Sequence, residues 1–271
     1  MINFKEIIRN LKGKHPLIQN ITNYVSANDC ANILLACGAS PVMTDDVSDC
    51  LDIASKADGL VINIGTLNDK TVNSMICAGE IFSKLNRPIV LDPVGVGVSK
   101  IRTDTVHKLI ESLNITVIRG NSSEIKYLAD KSECPLGVDS CEDEFENLYD
   151  SAELFKNLSR TLKTIIVSTG RVDIITDGRL VCFCKNGDSY MSKVTGTGCQ
   201  LSAVISSFIS SNNLIFDSVV CAVCSYGICG EIARSRMSSL DGNASYRNYI
   251  IDAMCNLNSD TLEGKAKYEI R

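Results

Sequence analysis

The feature that most constrains this chain is a rhythm of short buried strands alternating with amphipathic helical stretches. Four apolar, β-branched runs recur: Gly59 to Gly65, Pro88 to Asp92, Ile115 to Arg119 and Thr164 to Ser168. Each is near-continuous instead of alternating, the pattern of a strand covered on both faces. Between them Val72, Met75, Ile76, Gly79 and Phe82, then Val106, Leu109, Ile110 and Leu113, are spaced by three and four residues, as one apolar helix face requires. Strand and helix in alternation predict an α/β fold, a mostly parallel central sheet flanked by helices on both faces.

Beyond residue 170 the rhythm changes. Val172–Thr176 and Arg179–Phe183 flank Asp177-Gly178, which predicts a hairpin with a two-residue type I′ turn ending the sheet. Helices are expected near Gly198–Ser211, Phe216–Ser235 and Ala244–Asn256, and an acidic surface insert around Cys141-Glu-Asp-Glu-Phe-Glu. With 271 residues, 45% of them hydrophobic, the chain can bury one substantial core, so a single domain over 1–271 is expected.

The longest apolar stretches read as short and broken, far below the ~18 residues of a membrane span. The N-terminal MINFKEIIRNLKGKHP alternates apolar and charged residues, unlike a signal peptide, so the expectation is a cytoplasmic protein with no membrane contact. A net charge of −5 argues against a nucleic-acid partner. Thirteen cysteines, spread through apolar segments, read as reduced and mostly buried. Cys221 and Cys224 match C-x-x-C, but they lie in an apolar helical run and the chain has only two histidines to complete a metal site.

In open α/β sheets ligands collect outside the carboxyl ends of the strands. Those ends carry Gly65-Thr66, Asp92-Pro93-Val94-Gly95, Arg119 to Glu124 and Ser168-Thr169-Gly170. Together they offer a carboxylate, a guanidinium, an acidic residue at a helix start and a hydroxyl beside glycine, a set suited to a magnesium nucleotide. Taken singly, Asp92-Pro93 also reads as a turn and Ser122-Ser123-Glu124 as a helix cap.

The sharper signal is Val194-Thr195-Gly196-Thr197-Gly198-Cys199, which runs into a helix whose core stripe is Leu201, Val204, Ile205 and Phe208. A glycine-rich helix start lets backbone N–H groups approach an anion closely while the helix dipole adds positive potential. Cys199 falls in the first turn, where the dipole is expected to lower a thiol pKa. It either accepts the proton of an attacking alcohol or lines the pocket. Neither the P-loop nor the protein-kinase motifs are present.

Several motifs occur in order over nearly the whole chain: Pro16 to Asn32, Gly38 to Met43, Asn63 to Thr66, Leu91 to Gly95, Ile118 to Glu124, Thr169 to Asp173 and Val194 to Cys199. Together they resemble the hydroxyethylthiazole kinases of thiamine salvage, within the ribokinase-like superfamily. The resemblance implies ATP-dependent phosphorylation of the primary alcohol of 4-methyl-5-(2-hydroxyethyl)thiazole, with Mg²⁺, in a homotrimer whose active sites lie at subunit interfaces. It implies further that Met43, Gly196, Asn23 and Gly65 meet the thiazole, that Arg119 and Thr169 hold ATP phosphates, and that Asp92 and Glu124 orient Mg²⁺. Cys199 stands where most of the superfamily carries an aspartate base. Arg171 departs from the acidic residue usual after Thr-Gly, and either reaches the phosphates or faces solvent.

Two other classes compete. Some ribokinase-like proteins are lyases that dehydrate hydrated nicotinamide cofactors, but those favour an aspartate at the position of Cys199. A sensor that has lost catalysis is disfavoured by the intact Asp92, Arg119, Glu124 and glycine loop.

Overall fold

The computed structural model describes residues 2–130 and 146–271. The acidic stretch 141–145 therefore lies outside the described residues.

One nine-stranded sheet organises the chain. Six strands run parallel: β1 (Leu17–Ile21), β2 (Ser40–Met43), β3 (Gly59–Asn63), β4 (Ile89–Asp92), β5 (Val117–Asn121) and β6 (Ile165–Thr169). Three more, β7 (Asp173–Thr176), β8 (Val181–Cys184) and β9 (Tyr268–Ile270), continue it antiparallel in the order β2-β1-β3-β4-β5-β6-β7-β8-β9.

The period of two along each strand divides the core into two. Val61, Val90, Val117 and Val167 face one side. There they meet α1 (Phe4–Lys14), α2 (Ala27–Cys37), α8 (Thr197–Ser210), α9 (Ile215–Arg236), α10 (Asn243–Asn256) and α11 (Ser259–Lys265). Leu60, Ile62, Ile89, Leu91, Ile118 and Ile166 face the other. They pack on α3 (Val47–Ala54), α4 (Asp69–Lys84), α5 (Lys100–Ser112), α6 (Ser122–Asp130) and α7 (Glu146–Leu162). Each large apolar side chain so enclosed contributes about 1.5–3 kcal/mol.

Three expectations need correction. The hairpin turn is longer than two residues, because Thr176 pairs with Val181 and leaves Asp177 to Leu180 in the connection. A type I′ turn needs positive φ at both central residues. Here only Gly178 has it, at +85°, while Asp177 Oδ1 accepts the N–H groups of Arg179 and Leu180. Nor does the hairpin end the sheet, since β9 pairs with β8. Finally, α9 is long and apolar enough to cross a bilayer, with a mean hydropathy of 1.5 in its most apolar window. It is instead a core helix packed on α8 and α10: 78% of that window is buried. Within it Cys221 and Cys224 are fully buried, and Cys224 Sγ lies 3.4 Å from Cys184 Sγ on β8.

Candidate active site

Helix α8 packs on β1, β3 and β4, and its N-terminus opens among the carboxyl ends of the strands. Gly196 occupies its N-cap with φ +86°, and among the described residues no side chain caps the first turn. The free N–H groups of that turn and the dipole behind them make a positive focus. Gly198 allows the guanidinium of Arg119 to sit against the helix: a Cβ on Gly198 would fall only 2.9 Å from Arg119 Nη2 and closer still to Nη1. Arg119 itself reaches back from β5, donating from Nη2 to Thr169 Oγ1 at 2.7 Å.

Asp92, the last residue of β4, is 0% exposed and lies 3.7 Å from Arg119 Nη1. Its Oδ2 accepts from Asn63 Nδ2 and Ser202 Oγ, both at 2.9 Å, while Oδ1 has no hydrogen-bond partner among the described residues. Burial raises this carboxyl above the usual aspartate range, and Arg119, Ser202 and Asn63 pull it back down.

Cys199 Sγ accepts from the amides of Asn23 and Asn63, each at 3.3 Å. Burial pushes its thiol up, and the neighbouring Asp92 carboxylate pushes it further, outweighing the hydrogen bonds and Arg119. This direction is opposite to the lowering expected from the helix start alone, because desolvation and a buried anion dominate there.

Asn23, just beyond β1, holds Ser26 N–H and Oγ through its Oδ1 and donates to Asn63 Oδ1. Gly196 lies over the same turn, where a Cβ would come 3.1 Å from Ser26 Cβ. Gly65 donates its N–H to Asn63 Oδ1 at 2.9 Å. Met43 ends the edge strand β2 and stands apart on the rim, 37% exposed.

Glu124 serves two backbone groups. Its Oε2 accepts from Asn121 N–H while Asn121 Oδ1 accepts from Glu124 N–H, a reciprocal cap for α6, and its Oε1 accepts from Gly95 N–H at 2.8 Å. The cap is thus built on Asn121, one residue before the Ser122-Ser123-Glu124 pattern. Burial raises the Glu124 carboxyl, and the two backbone N–H groups oppose it.

Among the described residues no three His, Cys, Asp or Glu side chains gather as a metal cage. A magnesium ion carried by a nucleotide needs only one or two carboxylates, the rest of its shell being phosphate and water. The unpartnered Oδ1 of Asp92 and the remaining lone pairs of Glu124 fit that modest demand.

The structure therefore gathers Asn23, Gly65, Asp92, Arg119, Thr169, Gly196 and Cys199, ties Glu124 to them through Gly95, and leaves Met43 at the edge. Two contributors escape reading from the sequence. Asn63 is the hub, bonded to Asn23, Gly65, Asp92 and Cys199, and its signal is a polar residue closing the apolar run Leu60 to Ile62. Ser202 holds Asp92 from one turn into α8; it stands in a helix that also carries Ser206, Ser207 and Ser210, so nothing in the sequence singles it out.

The model of the hydroxyethylthiazole kinase family matches residues 8–260. The chain belongs to that family. A hydroxyethylthiazole kinase of Clostridium acetobutylicum is 49% identical over 98% of both chains, and one of Clostridium beijerinckii is 43% identical over 97% of this chain and 95% of its own. The solved hydroxyethylthiazole kinase of Pyrococcus horikoshii OT3 superposes with a TM-score of 0.88 at 31% identity, covering 99% of this chain and 98% of its own. A pyridoxal kinase of Staphylococcus aureus, solved with AMP-PCP and pyridoxal, shares the ribokinase-like fold at a TM-score of 0.61, 15% identity and 94% coverage of this chain. The chain is thus a kinase of ribokinase-like fold, with ATP as co-substrate.

Proposed function

We propose that this enzyme transfers the γ-phosphoryl group of ATP to the primary alcohol of 4-methyl-5-(2-hydroxyethyl)thiazole, yielding the thiazole phosphate consumed in thiamine synthesis. The observation that carries this reading is the open N-terminus of α8 with the Arg119 guanidinium packed against it, inside a chain of this family.

Charge on a transferring phosphoryl group is spread over its oxygens, so catalysis is mostly positioning and neutralisation. The N–H groups of Thr197, Gly198 and Cys199 and the guanidinium of Arg119 supply fixed positive ends, and Thr169 anchors Arg119 on the nucleotide side. Asn23 and the Gly65 backbone orient the acceptor, Gly196 admits it close to α8, and Met43 supplies an adaptable apolar surface for the ring. Cys199 lines the hydroxyl as a neutral thiol at pH 7. Its Sγ then offers the alcohol a hydrogen bond only, Asp92 Oδ1 is the proton acceptor at hand, and a loose transition state asks little of a base. Asp92 and Glu124 would hold Mg²⁺, which screens phosphate charge.

We assign residues 1–271 to one domain, since a single sheet incorporates strands from Leu17 to Ile270. A homotrimer with sites at subunit interfaces is supported by the exposed Tyr24 and Val25, which follow β1, the strand that pairs Asn20 with Met43. A cytoplasmic setting is supported by the free thiols of the described cysteines.

ADP release measured with Mg²⁺ and ATP against hydroxyethylthiazole, hydroxymethylpyrimidine and a nucleoside tests the substrate. Release that depends on the thiazole alcohol is expected, and release dependent only on another alcohol refutes the acceptor while keeping the kinase.

A further inference from the structure

Arg102, in the first turn of α5, plays no part in the chemistry described so far. Its guanidinium nevertheless spans two strand-end loops. Nη2 donates to the carbonyl of Gly65 at 2.8 Å, and Nη1 donates to those of Ile64, at 3.3 Å, and Val94. The first two belong to the loop after β3 that faces the acceptor, and the third to the loop after β4 that follows Asp92. Among the described residues all its hydrogen-bond acceptors are main-chain carbonyls, and no carboxylate pairs with it. The planar fork of an arginine spreads its donors over two nitrogens and so spans carbonyls on two loops; an ammonium carries its three donors on one atom.

The loop after β4 is shaped around this side chain. Gly95 has φ +70°, and a Cβ there would lie 3.2 Å from Arg102 Nη1 and 3.3 Å from Cδ. The N–H of the same Gly95 donates to Glu124 Oε1. A continuous chain of bonds therefore runs from Gly65 through Arg102 to Val94, Gly95 and Glu124, bypassing the Asn63 hub.

We propose that Arg102 is a positioning residue that fixes the distance between the acceptor loop at Gly65 and the carboxylates Asp92 and Glu124. The idea rests on the phosphotransfer reading above. Without the clamp the alcohol and the phosphoryl group are no longer held in line, and a misplacement of about 1 Å costs about 100-fold in rate. Water then competes for the phosphoryl group.

The test compares the wild type with Arg102→Ala and Arg102→Lys in steady-state kinetics, with thermal melting as the check on folding and with ADP and phosphorylated alcohol both quantified. In Arg102→Ala kcat should fall about 100-fold, KM for the alcohol should rise, and the ratio of ADP to phosphorylated alcohol should exceed one. Arg102→Lys, which keeps the charge but loses the fork, should shift the same ratio in the same direction to a smaller extent; it carries the test if the alanine variant does not fold. A folded variant with wild-type constants and a ratio of one overturns the proposal. So does a loss of activity that merely follows the folded fraction. Should the wild type prove inactive on the thiazole alcohol, the substrate reading fails and the clamp is still judged by hydrogen exchange. The Gly65 and Gly95 amides should exchange faster in Arg102→Lys, and unchanged exchange refutes the clamp.

Discussion

Replacing Gly198 by alanine separates the fold from the chemistry. The added Cβ would collide with the Arg119 guanidinium, coming within 3.0 Å of Cζ, so the side chain must move away from α8. Arg119 is only 12% exposed and is held by Thr169 and Asp92, so it cannot move without giving up those partners. Losing one charge-assisted hydrogen bond costs about 1.5–3 kcal/mol. Alanine in place of helical glycine returns about 1 kcal/mol. The net destabilisation is then about 0.5–2 kcal/mol, a fall in Tm of about 1–8 °C for a chain of this size. The effect on turnover is larger, because the displaced guanidinium and the crowded N–H groups are the proposed electrostatic stabilisers. Removing one such donor costs about 2.7–4 kcal/mol, a loss of about 10²–10³ in rate. Melting followed by circular dichroism, beside kcat/KM for ATP, reads both quantities. A folded Gly198→Ala enzyme with wild-type kcat/KM refutes the reasoning, as does one whose activity falls only as its folded fraction falls.

Asn63→Ala removes the hub and strips Asp92 and Cys199 of an amide donor; stability should drop by about 1–3 kcal/mol, and turnover more than ATP binding, as kinetics and nucleotide titration would show. Because burial and Asp92 push the Cys199 thiol up, it should resist iodoacetamide at pH 7.5 while the exposed Cys255 reacts, a contrast that peptide mass spectrometry resolves. Burial pushes the Asp173 carboxyl, which accepts the Gly170 N–H, up to about 7. An acid whose folded pKa is raised binds its proton more tightly in the native state, so stability falls as pH rises from the unfolded value of about 3.9 through the folded one. Asp173→Asn should flatten that part of the stability profile, and denaturant titrations at pH 4, 5.5 and 7.5 measure the slope.

The parallel core of the sheet was readable because β3, β4, β5 and β6 are buried on both faces and so carry nearly uninterrupted apolar runs. The strands that escaped lack such runs. β1 encloses Gln19 and Asn20, both buried, whose side chains bond Thr44 and backbone carbonyls inside the fold. β2 contains Pro41, tolerated because an edge strand can spare one donor, and β9 is three residues long. The strand-end rule led to the candidate residues on β4, β5 and β6, since those positions follow from topology, and the glycine-rich helix start led separately to Gly196 and Cys199; the structure brings the two sets together. Contacts made across the sequence were not legible. The bonds from Asn63 to Cys199 and from Arg102 to Gly65 join residues far apart in the chain, and no local pattern encodes them. The thiol of Cys199 was misjudged for the same reason, as Asp92 reaches it only in the folded sheet.

The most direct test of the central claim is ³¹P NMR of the reaction of the enzyme with Mg²⁺, ATP and hydroxyethylthiazole. The account predicts ADP together with an equal amount of a phosphomonoester whose signal is split by the two protons of the adjoining CH₂ group. ADP with inorganic phosphate alone, or no change in ATP, would contradict it.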